Sequence, residues 1–133
     1  EERYGIPSGL LEAIAFVESG INNHAISVAG KPVIATNNKE ALKVIADAQE
    51  NGIRNIDVGV MQLNYRFHSK AFANIQEMLN PKNNIEYAAK LLIRLKKQHG
   101  TWYAAICNYH SSKPDHQRKY SYKVVMKWGQ KYA

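Results

Sequence analysis

The chain has 133 residues, of which 45% are hydrophobic and 22% are charged, a globular composition that excludes disordered and fibrous classes. This length fits one domain with a single hydrophobic core. No apolar run approaches the roughly 20 residues that span a bilayer, so no transmembrane segment is predicted. Lys and Arg number 18 against 11 Asp and Glu, giving a net charge of +7, which favours polyanionic partners such as nucleic acid, anionic lipid or an acidic wall polymer.

The cysteine and the start of the chain say little about the cellular compartment. Cys107 is the single cysteine, so no internal disulfide can form, and it is interpreted as a small core residue or as a reactive thiol. No signal peptide or anchor is visible. Because the sequence begins at Glu1 without methionine, that absence does not predict the cytoplasm.

Apolar residues at helical spacing, bounded by capping residues, predict a series of short helices. Ser8 and Thr101 are expected to cap helix starts, Gly20 and Gly100 to end helices, and Pro81 to close the third helix. In chain order the predicted helices span about residues 8–20, 39–51, 69–79, 84–99, 102–106 and 120–128.

Strand signals are few. The segments from Lys31 to Thr36 and from Asn55 to Leu63 are rich in β-branched residues. They flank the second helix instead of alternating regularly with helices, so a doubly wound sheet is not expected. The sequence therefore predicts a mainly helical α+β fold with a small β element inserted early, formed as a single domain over residues 1–133.

Glu18 is an anomaly in the first predicted helix. Leu11 and Ile14 lie seven and four residues before it, so its carboxylate projects at or beside the apolar face. It also lies in the last turn, where the helix dipole disfavours negative charge. Both effects are predicted to raise its pKa and to keep it a proton donor near neutral pH. The alternative is a boundary glutamate whose carboxylate reaches solvent.

Four segments, taken together, resemble one enzyme family. In chain order they are Glu18-Ser19-Gly20-Ile21-Asn22 with Ser27, then Gly59-Val60-Met61-Gln62-Leu63-Asn64, then the helix of Asn84, Ile85, Ala88, Ala89, Leu92 and Leu95, and finally Tyr109-His110-Ser111 with Pro114. Their order and separations resemble the soluble lytic transglycosylases, which are goose-type lysozyme-like enzymes of glycoside hydrolase family 23. The tyrosine segment is similar to that of the small forms found in secretion and conjugation systems.

The resemblance extends from about Tyr4 to Trp128, with some departures. Asn23 stands where the family usually has proline, and Lys31 follows Gly30 where the family has alanine. The segment 31–57 separates this region from the Gly-x-Met-Gln motif and is predicted to form a strand, a helix and a return strand.

For Glu18 the resemblance implies the role of sole catalytic acid and base. As an acid it would protonate the oxygen that links N-acetylmuramic acid to N-acetylglucosamine. As a base it would then take the proton of the muramic acid 6-hydroxyl, which closes on C1 and leaves a 1,6-anhydro end. No second carboxylate is needed, in contrast to most glycosidases.

The resemblance also implies five substrate-binding residues. Gln62 would line the glycan cleft with its amide, although it could instead tie down local backbone. Ser27 and Tyr109 would lie close to the catalytic carboxylate, or serve as a turn cap and a buried aromatic residue. Met61 would form an apolar wall for a sugar ring or fill the core. His110, where the commoner motif has asparagine, would face the cleft or lie on the surface.

Asp57 defines the nearest rival function. Five residues before Gln62, it could hold a water molecule and make the protein a hydrolytic muramidase, or it could cap backbone donors of the Gly59 turn. A non-catalytic peptidoglycan-binding module is a further alternative, which an intact Glu18 argues against. Nucleic acid is not a predicted partner, because the basic residues accompany no recognisable reading helix.

No cofactor is predicted, because the sequence contains no His-x-x-x-His or Cys-x-x-Cys pair and no Gly-rich phosphate loop. The expected partner is the peptidoglycan glycan strand. The resemblance further implies a monomer in the bacterial periplasm that degrades murein, and service to a secretion, conjugation or flagellar apparatus.

Overall fold

The computed structural model describes the backbone of residues 4–110 and 114–132 and the side chains of residues 4–109 and 117–130. The helices are α1 (Leu10–Ser19), α2 (Asn38–Glu50), α3 (Tyr65–His68), α4 (Ile75–Leu79), α5 (Pro81–His99), α6 (Trp102–His110) and α7 (Pro114–Tyr132), with a 3₁₀ turn at Ser69–Ala71. The strands are β1 (Ile26–Val28), β2 (Lys31–Val33), β3 (Ile56–Val58) and β4 (Leu63–Asn64). This mainly helical α+β architecture, with a small β element early in the chain, confirms the predicted lysozyme-like fold class.

The four strands form one antiparallel sheet in the order β2-β1-β3-β4. Ile26 pairs with Val58, and Val58 pairs with Leu63. All three are at most 1% exposed, so this row faces the core. Because successive side chains alternate between the two faces of a strand, the neighbouring row of Ser27, Asp57 and Asn64 lies on the opposite, polar face.

The segment Glu18–Ile85 forms one compact unit, which contains the sheet. Within it, α2 begins at a side-chain cap, since Asn37 Oδ1 accepts a hydrogen bond from the Glu40 backbone N–H at 2.9 Å. Ala41, Ile45 and Ala48 form its buried face, and α2 contacts β1. Segment 31–57 is therefore a strand, a helix and a return strand, as predicted.

The parts of the chain before Glu18 and after Ile85 form a second compact unit. Helices α6 and α7 contact each other within it. Thr101 caps α6 as predicted, because its hydroxyl accepts a hydrogen bond from Ala104 N at 3.0 Å. The Trp128 indole N–H donates to Ser8 O at 2.8 Å, which fastens α7 to the beginning of the chain.

Two boundary predictions were wrong. Pro81 begins α5 instead of closing the preceding helix, because a proline's fixed φ suits a first helical turn and its missing N–H is not needed there. The helix predicted over 69–79 is divided into the 3₁₀ turn and α4, where the Asn74 side chain accepts from Glu77 N.

One strand was missed, and another predicted strand is two. Strand β1 is only three residues long and follows a loop, so its periodicity carries too little signal. The strand predicted over 55–63 is a hairpin, with β3 and β4 separated by the turn at Gly59. In the described part of the chain, no helix has the length and apolar character needed to cross a membrane.

Candidate active site

Glu18 lies in the last turn of α1 and is half-buried. The next residue fastens this helix end, because the Ser19 hydroxyl donates to Val60 O at 2.7 Å and accepts from Asn22 N at 3.1 Å. The bond to Val60 joins residues 41 positions apart in the chain. The backbone that carries the Glu18 carboxylate is therefore held against the turn that follows β3.

The turn between β3 and β4 has an unusual backbone. Gly59 has φ +82° and Gln62 has φ +50°, and Gln62 N donates to Gly59 O at 3.0 Å while Gly59 N donates to Ala25 O at 2.8 Å. A left-handed conformation costs about 1–2 kcal/mol for a residue with a Cβ. At Gln62 this strain persists because other contacts hold the residue in place.

The Gln62 side chain supplies those contacts. Its Nε2 donates to Ala25 O at 3.0 Å and to Gly59 O at 2.9 Å, and its Oε1 accepts from the Ser27 hydroxyl at 2.7 Å. Both amide hydrogens are thus used within the protein, which is the backbone-tying role given above as the alternative. One lone pair of Oε1 is the remaining capacity of the amide, so a sugar contact through Gln62 stays a prediction.

Asn84 supports the same turn from α5. Its side chain is 0% exposed; Nδ2 donates to Val58 O and Met78 O at 2.9 Å each, and Oδ1 accepts from Met61 N at 2.9 Å. A Cβ at Gly59 would lie 2.6 Å from Asn84 Nδ2. Glycine is therefore required at position 59 both by its backbone conformation and by the neighbouring amide.

The sequence carried one signal for Asn84 as a supporting residue. It is an asparagine in the first turn of an amphipathic helix, four residues before Ala88 and so on the same face. Buried amides of this kind are retained when all their hydrogen bonds are made. The supporting role of Ser19 gives no such signal, because its bond to Val60 depends on tertiary structure and leaves no periodic pattern in the sequence.

The polar face of the sheet lies beside this turn. Ser27 pairs directly with Asp57, and Asp57 pairs with Asn64. Directly opposed residues on antiparallel strands share a face. Asn64 Nδ2 donates to Asp57 Oδ1 at 3.1 Å and to Asn55 Oδ1 at 2.9 Å. The predicted residues Ser27, Gln62 and Asp57 are thus brought into one cluster, linked by strand pairing and hydrogen bonds.

Comparison with known proteins identifies the family. The profile of the transglycosylase SLT domain matches residues 1–126. The chain belongs to this family. Protein IpgF of Shigella flexneri is 35% identical over 123 residues, which are 89% of this chain and 66% of that protein, and Protein IpgF of Shigella sonnei gives the same values. The chain thus spans 66% of the length of these curated relatives. No solved structure matches it.

Met61, Tyr109 and His110 are the remaining predicted site residues of this SLT domain. Met61 is 1% exposed and packs in the core, which is the alternative role stated for it, so contact with a sugar ring stays a prediction. Tyr109 is half-buried in α6 and belongs to the second compact unit. His110 is the last residue of α6, and its side chain, like Ser111, lies outside the described residues.

The described side chains were compared with the ligand sets that hold metal ions. Among the side chains that the structure describes, no group of three or more His, Cys, Asp or Glu residues is arranged to hold a metal ion.

Proposed function

We propose that this SLT domain is a lytic transglycosylase that cleaves the β-1,4 bond between N-acetylmuramic acid and N-acetylglucosamine in peptidoglycan. Family membership over residues 1–126 supports transglycosylase action on peptidoglycan. The observation that carries the finer assignment is the position of Glu18. It is a half-buried residue in the last turn of α1, and this helix end is fastened through Ser19 to the Val60 carbonyl.

In this proposal Glu18 acts twice. The protonated carboxyl gives its proton to the glycosidic oxygen as the bond from C1 of muramic acid to that oxygen breaks. The resulting carboxylate then removes the proton of the 6-hydroxyl on the same sugar, and the 6-oxygen bonds to C1. The products are a free 4-hydroxyl and a 1,6-anhydro end, and Glu18 is again protonated, so water is not consumed. One group with a pKa near the working pH can serve both steps.

The surrounding residues have supporting roles. Ser19 and Asn84 hold the turn and the end of α1, which keeps the carboxyl group in one geometry. Ser27 and Gln62 order the adjoining polar face of the sheet. We propose that Tyr109 acts on the protonation of Glu18 through its hydroxyl.

We propose Met61 and His110 as further contacts to the glycan, together with Ser27, Gln62 and Tyr109. The whole chain, residues 1–133, acts as one monomeric domain in this account. The setting that this function requires is the bacterial periplasm, where the peptidoglycan lies. The small-form tyrosine motif supports service to a secretion, conjugation or flagellar apparatus.

The test of the catalytic role compares two glutamates of the same helix. Glu18→Gln removes the titratable group with little change in volume and is expected to abolish lysis of purified peptidoglycan sacculi. Glu12→Gln makes the same substitution at an exposed position of α1 and is expected to retain lysis. Equal activity in the two folded variants would contradict the assignment of Glu18.

The hydrolytic alternative is tested at Asp57. That carboxylate is half-buried on the polar face of the sheet, where it accepts from Asn64. The transglycosylase proposal expects Asp57→Asn to keep lytic activity, because the reaction needs no second carboxylate. Loss of lysis with an unchanged unfolding temperature would instead support a hydrolase that uses Asp57 to activate water.

A further inference from the structure

The outward face of α7 exposes apolar side chains in a stripe. Tyr122 is 67% exposed, Val125 40% and Met126 48%. Their spacing of three and four residues places them on one side of the helix. Tyr120 and Val124 lie on the opposite, buried side. The stripe is therefore additional to the apolar surface that this helix already buries.

Cationic residues accompany this stripe, since helical spacing places Arg118 within it and Lys119 and Lys123 along one edge. Asp115, near the start of the same helix, stands three residues before Arg118 and four before Lys119. From position 118 to position 131 the chain carries Arg118, Lys119, Lys123, Lys127 and Lys131 and neither Asp nor Glu. Arg118, Lys119 and Lys123 are exposed. Lys127 Nζ lies 3.7 Å from the centroid of the Phe16 ring, so it is engaged within its own unit.

We propose that this surface, the α7 face (Arg118, Lys119, Tyr122, Lys123, Val125 and Met126), binds the surface of a membrane rich in anionic phospholipid. The catalytic proposal does not require it. A helix face that combines exposed apolar residues with adjoining cations matches the chemistry of an interfacial membrane site. The apolar side chains would enter the headgroup layer, and the lysine stems would lie along it with their ammonium groups at the phosphates.

The lysines of the α7 face favour a lipid surface over a protein partner. Protein–protein interfaces are depleted of lysine and enriched in Arg, Tyr and Met, so the exposed Lys119 and Lys123 are the residues that distinguish this face from such an interface. Lysine is a flexible point charge that needs no fixed partner geometry, which suits a fluid array of phosphates. Tyr122 also fits, because tyrosine is enriched at the membrane–water interface.

The contribution of charge can be stated as a fold-change. Each Lys or Arg close to an anionic membrane strengthens binding about fivefold, so loss of Lys119 and Lys123 is expected to weaken binding about 30-fold. Screening by salt should weaken the wild type in the same direction, since these charges are exposed. Loss of the apolar side chains should weaken binding even at low salt.

The experiment measures sedimentation of the full chain with lipid vesicles and contains no peptidoglycan, so its outcome is separate from catalysis. Vesicles of phosphatidylcholine alone are compared with vesicles that contain phosphatidylcholine and phosphatidylglycerol in equal parts. The wild type is expected to sediment with the anionic vesicles only. Both Lys119→Gln/Lys123→Gln and Tyr122→Ser/Met126→Ser are expected to lose most of that binding.

Matched variants control for net charge and for exposed apolar area. Lys43→Gln/Lys90→Gln removes two exposed lysines outside α7, and Ile34→Ser removes a side chain that is 90% exposed. Both are expected to bind like the wild type. Equal losses in the α7 and control variants would overturn the proposal, because binding would then follow net charge. Absence of wild-type binding to the anionic vesicles would also overturn it.

Discussion

Replacement of Gly59 by alanine places a methyl group against the buried amide of Asn84. The new Cβ would lie 2.6 Å from Asn84 Nδ2 and 2.9 Å from Cγ, which is closer than such atoms approach in proteins. Asn84 is 0% exposed, so its side chain has no solvent-filled space to move into. Either the turn after β3 or the amide of Asn84 must shift.

The cost has two parts. Alanine in a left-handed conformation costs about 1–2 kcal/mol. Displacement of Asn84 weakens its bonds to Val58, Met78 and Met61, and each buried polar group left unsatisfied costs about 1–3 kcal/mol. With two such groups the loss is at least about 3 kcal/mol, a large share of the roughly 5–15 kcal/mol that stabilises a typical native protein.

Gly30 provides the matched control. It also has φ +82°, but nothing lies within 4 Å of its added Cβ. Gly30→Ala should therefore lose only the backbone part, about 1–2 kcal/mol. Urea unfolding of the two variants separates backbone strain from the displacement of Asn84.

Because the backbone part is the same at both positions, the two variants are expected to differ by at least about 2 kcal/mol in the free energy of unfolding. Equal destabilisation would refute the reasoning from Asn84. In an Asn84→Ala background the obstructing amide is gone, so Gly59→Ala should cost no more than Gly30→Ala. A cost that stays large in that background would also contradict the explanation.

Three further predictions concern single hydrogen bonds. Ser19→Ala removes the bond to Val60 and should lower the rate of sacculus lysis about tenfold, since small misplacement of a catalytic group is costly; weaker sacculus binding at an unchanged rate would contradict this. The Thr36 backbone N–H lowers the pKa of Glu40 below its ordinary 4.5, so the carboxylate stabilises the fold above that value and the contribution disappears as pH falls through the lowered pKa. The unfolding temperatures of the wild type and Glu40→Gln should therefore become equal as the pH is lowered. A difference between them that stays constant with pH would refute this role of the Glu40 carboxylate. Trp128→Phe should cost about 1 kcal/mol in chemical unfolding through loss of its indole bond; an unchanged midpoint would show that the bond contributes nothing.

The sequence predicted the elements whose signals are local. Helix α2 was predicted from the helical spacing of its apolar residues, and the cap at Thr101 was predicted from its residue type alone. The mainly helical fold class also followed, because most apolar residues recur at helical spacing. Strand β1 could not be found in this way, since a three-residue strand is stabilised by the strands on either side of it and contains no period of its own.

The candidate site was predicted in its residue types more than in its contacts. The motif around Gly59 and Gln62 marked the turn, but the three hydrogen bonds of the Gln62 amide join residues up to 37 positions apart. The bond from Ser19 to Val60 and the burial of Asn84 are likewise products of tertiary packing. Such contacts can be identified only when the folded backbone brings the partners together.

The central claim is that Glu18 cleaves the glycan without water. The most direct measurement is digestion of purified peptidoglycan in ¹⁸O-labelled water, followed by mass spectrometry of the muropeptides. The proposal predicts products one water lighter than hydrolytic ones, free of the heavy isotope, and absent when Glu18→Gln replaces the wild type. Reducing-end products that carry ¹⁸O would contradict it and would identify the SLT domain as a hydrolase.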